Sequence, residues 1–347
     1  MKRCRPNILP LLAIVLLPLL GSCRKDLCYD HDEHSVGYRS NVNAAWEQEW
    51  ERPYGCQWQA EWNNDKYGVG YDALRPDAGK GIAALIYETT ETKAEGVQEF
   101  HLPANGGLLY TTANTHSILF YNDDTEYIVF NDIASSTTAS ATTRTRTRAS
   151  LSLSEPHSEE RTVNMPDMLY GSFVPDFEPI PIAGGQQLAV VMRPLVFTYL
   201  VRYEIEQGSE YVALARGAMA GMAETVFLKE GRTGEELATL LFDCTLTPGL
   251  AEARILSFGV PGFPDSYYSR GPNHERNYAL NLELMLKNGK KLDFEFDITD
   301  QMKNQPRGGV ITVSGIRISD EEGAEGGSGF DASVDGWGEY EDIELDL

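Results

Sequence analysis

Alternation of apolar and polar residues dominates this chain. In YALNLELMLKNGKKLDFEFDIT, Leu280, Leu282, Leu284 and Leu286 are spaced by polar Asn281 and Glu283. Asn288-Gly289 supplies the positive φ of a tight turn, and Leu292, Phe294, Phe296 and Ile298 then alternate with Asp293, Glu295 and Asp297. This is the signature of a β-hairpin. Gly81–Thr90, His116–Asp132 and Pro194–Glu206 are rich in β-branched and aromatic residues and bounded by Gly, Pro, Asn and Asp, which predicts strands. In the last of these Leu195, Phe197, Tyr199, Val201, Tyr203 and Ile205 share one face, as in a strand buried on one side. Leu240, Phe242, Cys244 and Leu246 repeat the pattern and point Cys244 into a core. A 3.6-residue period is confined to Thr233–Leu240, a candidate short helix. The fold class expected is all-β, with antiparallel β-sandwich domains in tandem.

The first residues follow another rule. Lys2, Arg3 and Arg5 precede an apolar run from Ile8 to Leu20, and Gly21-Ser22 then leads to Cys23. That order predicts a secretory signal over residues 1–22. LLGSC resembles the lipobox of bacterial lipoproteins, which implies cleavage before Cys23 and a diacylglycerol and acyl chains, palmitate among them, on its sulfur and amine. The lipid would then be the sole attachment to a membrane. Residues 23–40 are polar without an apolar period and read as a tether. The expected organisation continues with an N-terminal sandwich over 41–133, a Ser/Thr/Arg-rich linker or loop over 134–162 and a C-terminal sandwich over 163–347. In the linker Arg144, Arg146 and Arg148 alternate with Thr, an arrangement open to trypsin-like proteases. The tail from Asp320 is acidic and lacks Lys and Arg, yet Ile343, Leu345 and Leu347 suggest a last strand after Glu341.

Composition narrows the function. With 29 Lys and Arg against 52 Asp and Glu, the net charge is −23. Such a surface cannot neutralise a phosphate backbone, so a nucleic-acid partner is not expected. Of five cysteines, Cys4 falls in the signal, Cys23 in the lipobox and Cys244 in a strand. Cys28 and Cys56 remain as the pair a disulfide would join, with a bridge and two free thiols equally open.

Candidate chemistry is sparse. His31 and His34 lie in CYDHDEH with Cys28 and carboxylates, but on a tether the expectation is a solvated stretch, and no metal or other cofactor is expected. There is no nucleophile elbow, phosphate loop or dinucleotide fingerprint. Asp123, Asp124 and Glu126 could pair for glycosidic chemistry, although adjacent carboxylates arise readily in so acidic a chain. No catalytic residue is assigned, and the expectation is a non-enzyme. Trp46, Trp50, Trp58 and Trp62 are candidates for stacking on sugar rings, with a buried role as the alternative.

CRKDLCYDHDEH after the lipobox, RPDAGKGIAALIYE, YNDDTEYIVFND, MPDMLYG and RGAMAGMAETVFL together resemble the fimbrillin-like lipoproteins of Bacteroidetes, a group that includes fimbrial anchor and tip subunits. The resemblance implies two transthyretin-like β-sandwiches on a lipid-anchored chain. It also implies other fimbrillin-like subunits as partners, joined by strand complementation, with residues 341–347 as the candidate exchanged or edge strand. The expected function is an outer-membrane fimbrial anchor, accessory or adhesion subunit, with the cell surface, a fimbrium and the periplasmic face all open as its place. A glycan-binding surface lipoprotein is the alternative.

Overall fold

The computed structural model describes residues 38–88, 97–148, 151–264, 276–324 and 341–343. In chain order the strands are β1 (Tyr38–Trp46), β2 (Gly81–Glu88), β3 (Gln98–Pro103), β4 (Leu108–Thr111), β5 (His116–Tyr121), β6 (Ile128–Asn131), β7 (Ser140–Thr143), β8 (Thr145–Thr147), β9 (Arg161–Val163) and β10 (Tyr170–Phe177). They continue with β11 (Gln186–Pro194), β12 (Phe197–Gln207), β13 (Val212–Ala223), β14 (Val226–Phe227), β15 (Leu237–Thr247), β16 (Leu250–Ser257), β17 (Ala279–Leu286), β18 (Lys291–Asp297), β19 (Gly309–Arg317) and β20 (Glu341–Ile343). The chain is all-β, in two sheet-based units that follow one another.

The first unit is a seven-stranded sheet in the order β3-β2-β5-β10-β11-β1-β4. Its β2 is apolar and buried from Ile82 to Tyr87 because both faces are covered. Ile82, Ala84 and Ile86 enter one core with Val42, Phe120, Tyr170 and Met192. Ala83, Leu85 and Tyr87 enter another, shared with Ala141, Val226, Leu228 and Phe258. That second core joins the sheet to the small sheet β14-β7-β6 and to the start of the second unit.

The second unit is a ten-stranded sheet with the path β18-β17-β13-β15-β16-β12-β19, to which β9, β8 and β20 attach beside β15. β15 bends between two partners: Leu237 to Cys244 pair with β13, and Thr245 to Thr247 pair with β16. The bend brings Tyr199, Val201 and Tyr203 of β12 against Leu280, Leu282 and Leu284 of β17 in one core. Cys244 packs against that core, as the alternation predicts. The predicted hairpin is present, paired from Ala279–Asp297 to Met285–Lys291, with Gly289 at φ +83° in its turn.

Three expectations change. No helix forms over Thr233–Leu240: β15 begins at Leu237, because Ala238, Leu240 and Phe242 alternate into the core. The 134–162 segment is not a linker. It contributes β7, β8 and the start of β9, and Ser140, Thr142, Thr143, Arg148 and His157 are buried. Finally, the C-terminal unit does not start at 163, since β10 and β11 fill the gap between β5 and β1 in the first sheet. Without them β1 would lose its parallel partner; the chain visits the second sheet at β8 and β9, returns to the first for β10 and β11, and enters the second again at Phe197.

Candidate functional site

The predicted sugar platform is an internal clasp. Trp46, on β1, donates its Nε1–H to the Ala104 carbonyl (2.7 Å) and sets its ring edge-on to Tyr170. Beyond Trp46 the chain leaves the first sheet and crosses the outer face of the second. There Trp50, Tyr67 and Leu74 cluster with Leu200 of β12 and Val310 of β19, flanked by Trp58, Trp62, Val69 and Tyr71. Trp58 donates to Gln305 Oε1 (3.0 Å) and Trp62 to the Val69 carbonyl (2.8 Å). Backbone bonds lock the crossing: Thr198 N–H donates to Trp50 O, and Arg52 N–H to Arg307 O, each at 2.8 Å. Trp50 is 1% exposed and the other three are half-buried, so the indole faces are spent on packing. The face of β12 that was expected to be solvated is the one this clasp covers.

Within the clasp Glu51 is 2% exposed and accepts a hydrogen bond from the Tyr71 hydroxyl (2.8 Å). Burial raises its pKa to about 7; the Tyr71 bond opposes the shift and the nearby Glu49 charge adds to it. Burial and the same bond push the Tyr71 phenol well up.

Residues 144–148 and 151–163 strap the outer face of β13, β17 and β18. Arg148 donates to the Gly217 carbonyl and Ser154 bonds Glu295. Buried His157 Nδ1 meets Glu160 Oε1 at 2.5 Å, while Glu160 Oε2 accepts from Gly221 N–H and the Thr239 hydroxyl. Beneath the strap Arg216 and Glu283 form a buried ion pair at 2.7 Å. Sequence reasoning missed these residues because they read as polar and loose. The signal that could have found them is the Thr-x-Thr-x-Thr alternation from Thr143, a β-branched period of two.

Of the candidate carboxylates, Asp123 and Asp124 are engaged in hydrogen bonds just beyond β5. Asp124 accepts from Lys80 N–H and from Asn122 Nδ2, and Asp123 bonds His101 Nδ1 (2.8 Å). Glu126 contributes its N–H to Asp167 Oδ2, which also accepts from the N–H groups of Tyr127 and Ile128. Among the described residues no group of His, Cys, Asp and Glu could hold a metal ion. Cys23, Cys28, His31 and His34 lie outside the described residues, and so does any Cys28–Cys56 bridge; Cys56 is half-buried. A cavity of about 280 Å³ is lined by Phe227, Arg232, Thr233, Glu235, Glu236 and Phe263, with the Arg232 guanidinium over the Phe227 ring at 3.5 Å.

The sheet edges carry more information. β19 ends its sheet, yet the outward backbone groups of its first half are occupied: Gln305 accepts from Val310 N–H and donates to its carbonyl (both 2.9 Å), and Gln301 does the same at Thr312 (3.0 and 2.9 Å). Two glutamine side chains thus act as a short substitute strand. β18, at the other end, carries Lys291, Asp293, Glu295 and Asp297, the charge pattern that deters edge pairing. β20 differs. Among the described residues it pairs antiparallel with β8 alone, from Glu341–Thr147 to Ile343–Thr145, and β8 meets β9 only at Thr145–Val163.

A family model described as a domain of unknown function, DUF5119, matches residues 74–243. None of the curated proteins compared matches the chain. A solved structure described as a candidate adhesin from Bacteroides ovatus aligns over 92% of this chain and 97% of its own, with a TM-score of 0.56 and 16% identity. This chain shares its fold. A second candidate adhesin from Bacteroides ovatus is similar over 80% of this chain and 87% of its own, at TM-score 0.44 and 6% identity. The fimbrial anchor protein Mfa2 from Porphyromonas gingivalis is similar over 80% and 90%, at TM-score 0.39 and 7% identity. The tandem β architecture agrees with the fold that the sequence resemblance implies.

Proposed function

We propose that this chain is an outer-membrane lipoprotein, acylated on Cys23, that serves without enzymatic activity as an anchor, accessory or adhesion subunit of a fimbria-like assembly. The observation that carries the proposal is the contrast between edges. The ends of the second sheet are plugged by Gln301 and Gln305 or guarded by charge, whereas β20 hangs from a three-residue strand and leaves its far side unpaired among the described residues. A strand from another subunit would add beside β20, or β20 would exchange β8 for a partner's edge, with main-chain bonds giving affinity and side-chain alternation giving register. The shared fold with a candidate adhesin supports this reading, as does the absorption of the tryptophans and carboxylates into structural roles.

Two measurements test it. Wild-type protein should sediment with outer membranes and incorporate labelled fatty acid, and Cys23→Ala should do neither; a variant that keeps both refutes the anchor. A photo-crosslinking residue at Asp342 should capture another fimbrillin-like subunit in membranes of the host, and capture of nothing but the chain itself refutes strand complementation.

A further inference from the structure

The three most exposed large apolar side chains among the described residues are Ile182 (57%), Ile180 (54%) and Tyr110 (44%), and all three gather at one end of the first sheet. Ile180 and Ile182 occupy the loop between β10 and β11. That loop is a built turn. Gly185 N–H donates to the Ile182 carbonyl (3.0 Å), Ile180 N–H to Gln186 Oε1 (3.0 Å), and Asn41 Nδ2 to the Gly184 carbonyl (2.7 Å). A Cβ on Gly185 would lie 3.2 Å from the Arg39 carbonyl, so the turn rests directly against the first residues of β1. Arg39 is register-paired with Tyr110 of β4, and its guanidinium lies over that ring at 5.8 Å. Leu108, also exposed, shares the outward face of β4 with Tyr110.

This end is also where the chain enters the fold. Tyr38 opens β1, and fourteen residues separate it from Cys23. Even fully extended they span no more than about 50 Å, so this pole is the part of the protein held nearest to an anchor at Cys23. Isoleucines fixed outward by a hydrogen-bonded turn, beside a tyrosine and an arginine, match the amphipathic composition that settles at the boundary between head groups and acyl chains. Asp176 and Glu178 flank the turn and the net charge is −23, so anionic lipids would repel it and zwitterionic head groups are the compatible surface.

We infer that the Ile180–Ile182 turn, with Tyr110 and Leu108, is a membrane-resting rim that seats the first unit on a zwitterionic bilayer. The inference rests on the lipid-anchor reading and adds an orientation to it: the first sheet lies at the bilayer and the second unit, with β20, projects away.

The test uses depth-dependent quenching. The full chain is reconstituted into phosphatidylcholine–phosphatidylethanolamine vesicles containing shallowly brominated lipid, either through its native acyl group or, for residues 24–347, through a histidine tag at the N-terminus on nickel-chelating lipid. Fluorescence of Ile182→Trp is compared with that of Leu237→Trp, which adds an indole at an exposed position of the second sheet. The rim predicts quenching about threefold greater for Ile182→Trp in both arms. Equal quenching of the two variants while the protein is held on the vesicles overturns the rim and leaves the anchor untouched. Greater Ile182→Trp quenching on nickel lipid, where the tag and not an acyl group holds the chain, supports the rim independently of the outcome at Cys23.

Discussion

Glu51 makes the stability of the clasp depend on pH in a direction opposite to that of most carboxylates. Its side chain is held at about pKa 7 in the folded protein, against 4.5 for the free group, because burial within the clasp removes it from water. Below pH 4.5 both folded and unfolded chains carry the proton, and the contribution to stability is complete. Between 4.5 and 7 the unfolded chain ionises first, so folding loses ground, and above 7 the loss levels off. The difference of about 2.5 units corresponds to about 3 kcal/mol. Glu51→Gln keeps an acceptor for the Tyr71 hydroxyl but cannot ionise. It should match wild type in urea midpoint at pH 4.5 and exceed it by about 1 M at pH 8. Every other titrating group is common to the two proteins and cancels in the comparison. A gap between variant and wild type that stays constant from pH 4.5 to 8 would refute the assignment of a raised, buried carboxyl.

Three further outcomes follow from packing and backbone satisfaction. Trp50→Ala should cost about 3–5 kcal/mol in denaturant unfolding. Trp50→Phe should cost less than about half of that, because the buried Nε1–H it removes has no partner among the described residues. Asp167→Ala leaves the N–H groups of Glu126, Tyr127 and Ile128 without their acceptor and should destabilise by about 2–4 kcal/mol, with Asp167→Asn recovering most of it by thermal melt. The double variant Gln301→Ala, Gln305→Ala should uncover the β19 edge and make the protein self-associate in analytical ultracentrifugation at concentrations where wild type does not.

Where structure followed from neighbouring residues, the sequence was readable. The β17–β18 hairpin needs only its own alternation and Asn288-Gly289, and Cys244 needs only the phase of β15. Where the partner is distant, it was not. Four tryptophans within seventeen residues look alike whether solvated or buried, and what decides is Leu200 and Val310, which lie far along the chain. The 134–162 segment was misread for a related reason. Its Ser and Thr hydroxyls find main-chain partners, as Thr142 does at Glu224 O and Thr143 at Tyr127 O, so a polar stretch becomes buried strand. Domain boundaries suffered most, because β1 closes the first sheet against β11, about 150 residues later.

The central claim is that this protein acts by joining other subunits through the β20 edge while a lipid holds it to the outer membrane. The most direct measurement is a pull-down of tagged chain from gently solubilised membranes of its own host, with mass spectrometry of the proteins that accompany it, repeated with a chain ending at residue 340. The account predicts a ladder of fimbrillin-like subunits with the full chain and its loss with the shortened one, the fold being retained by circular dichroism. Recovery of the chain alone, or an unchanged ladder without residues 341–347, would contradict it.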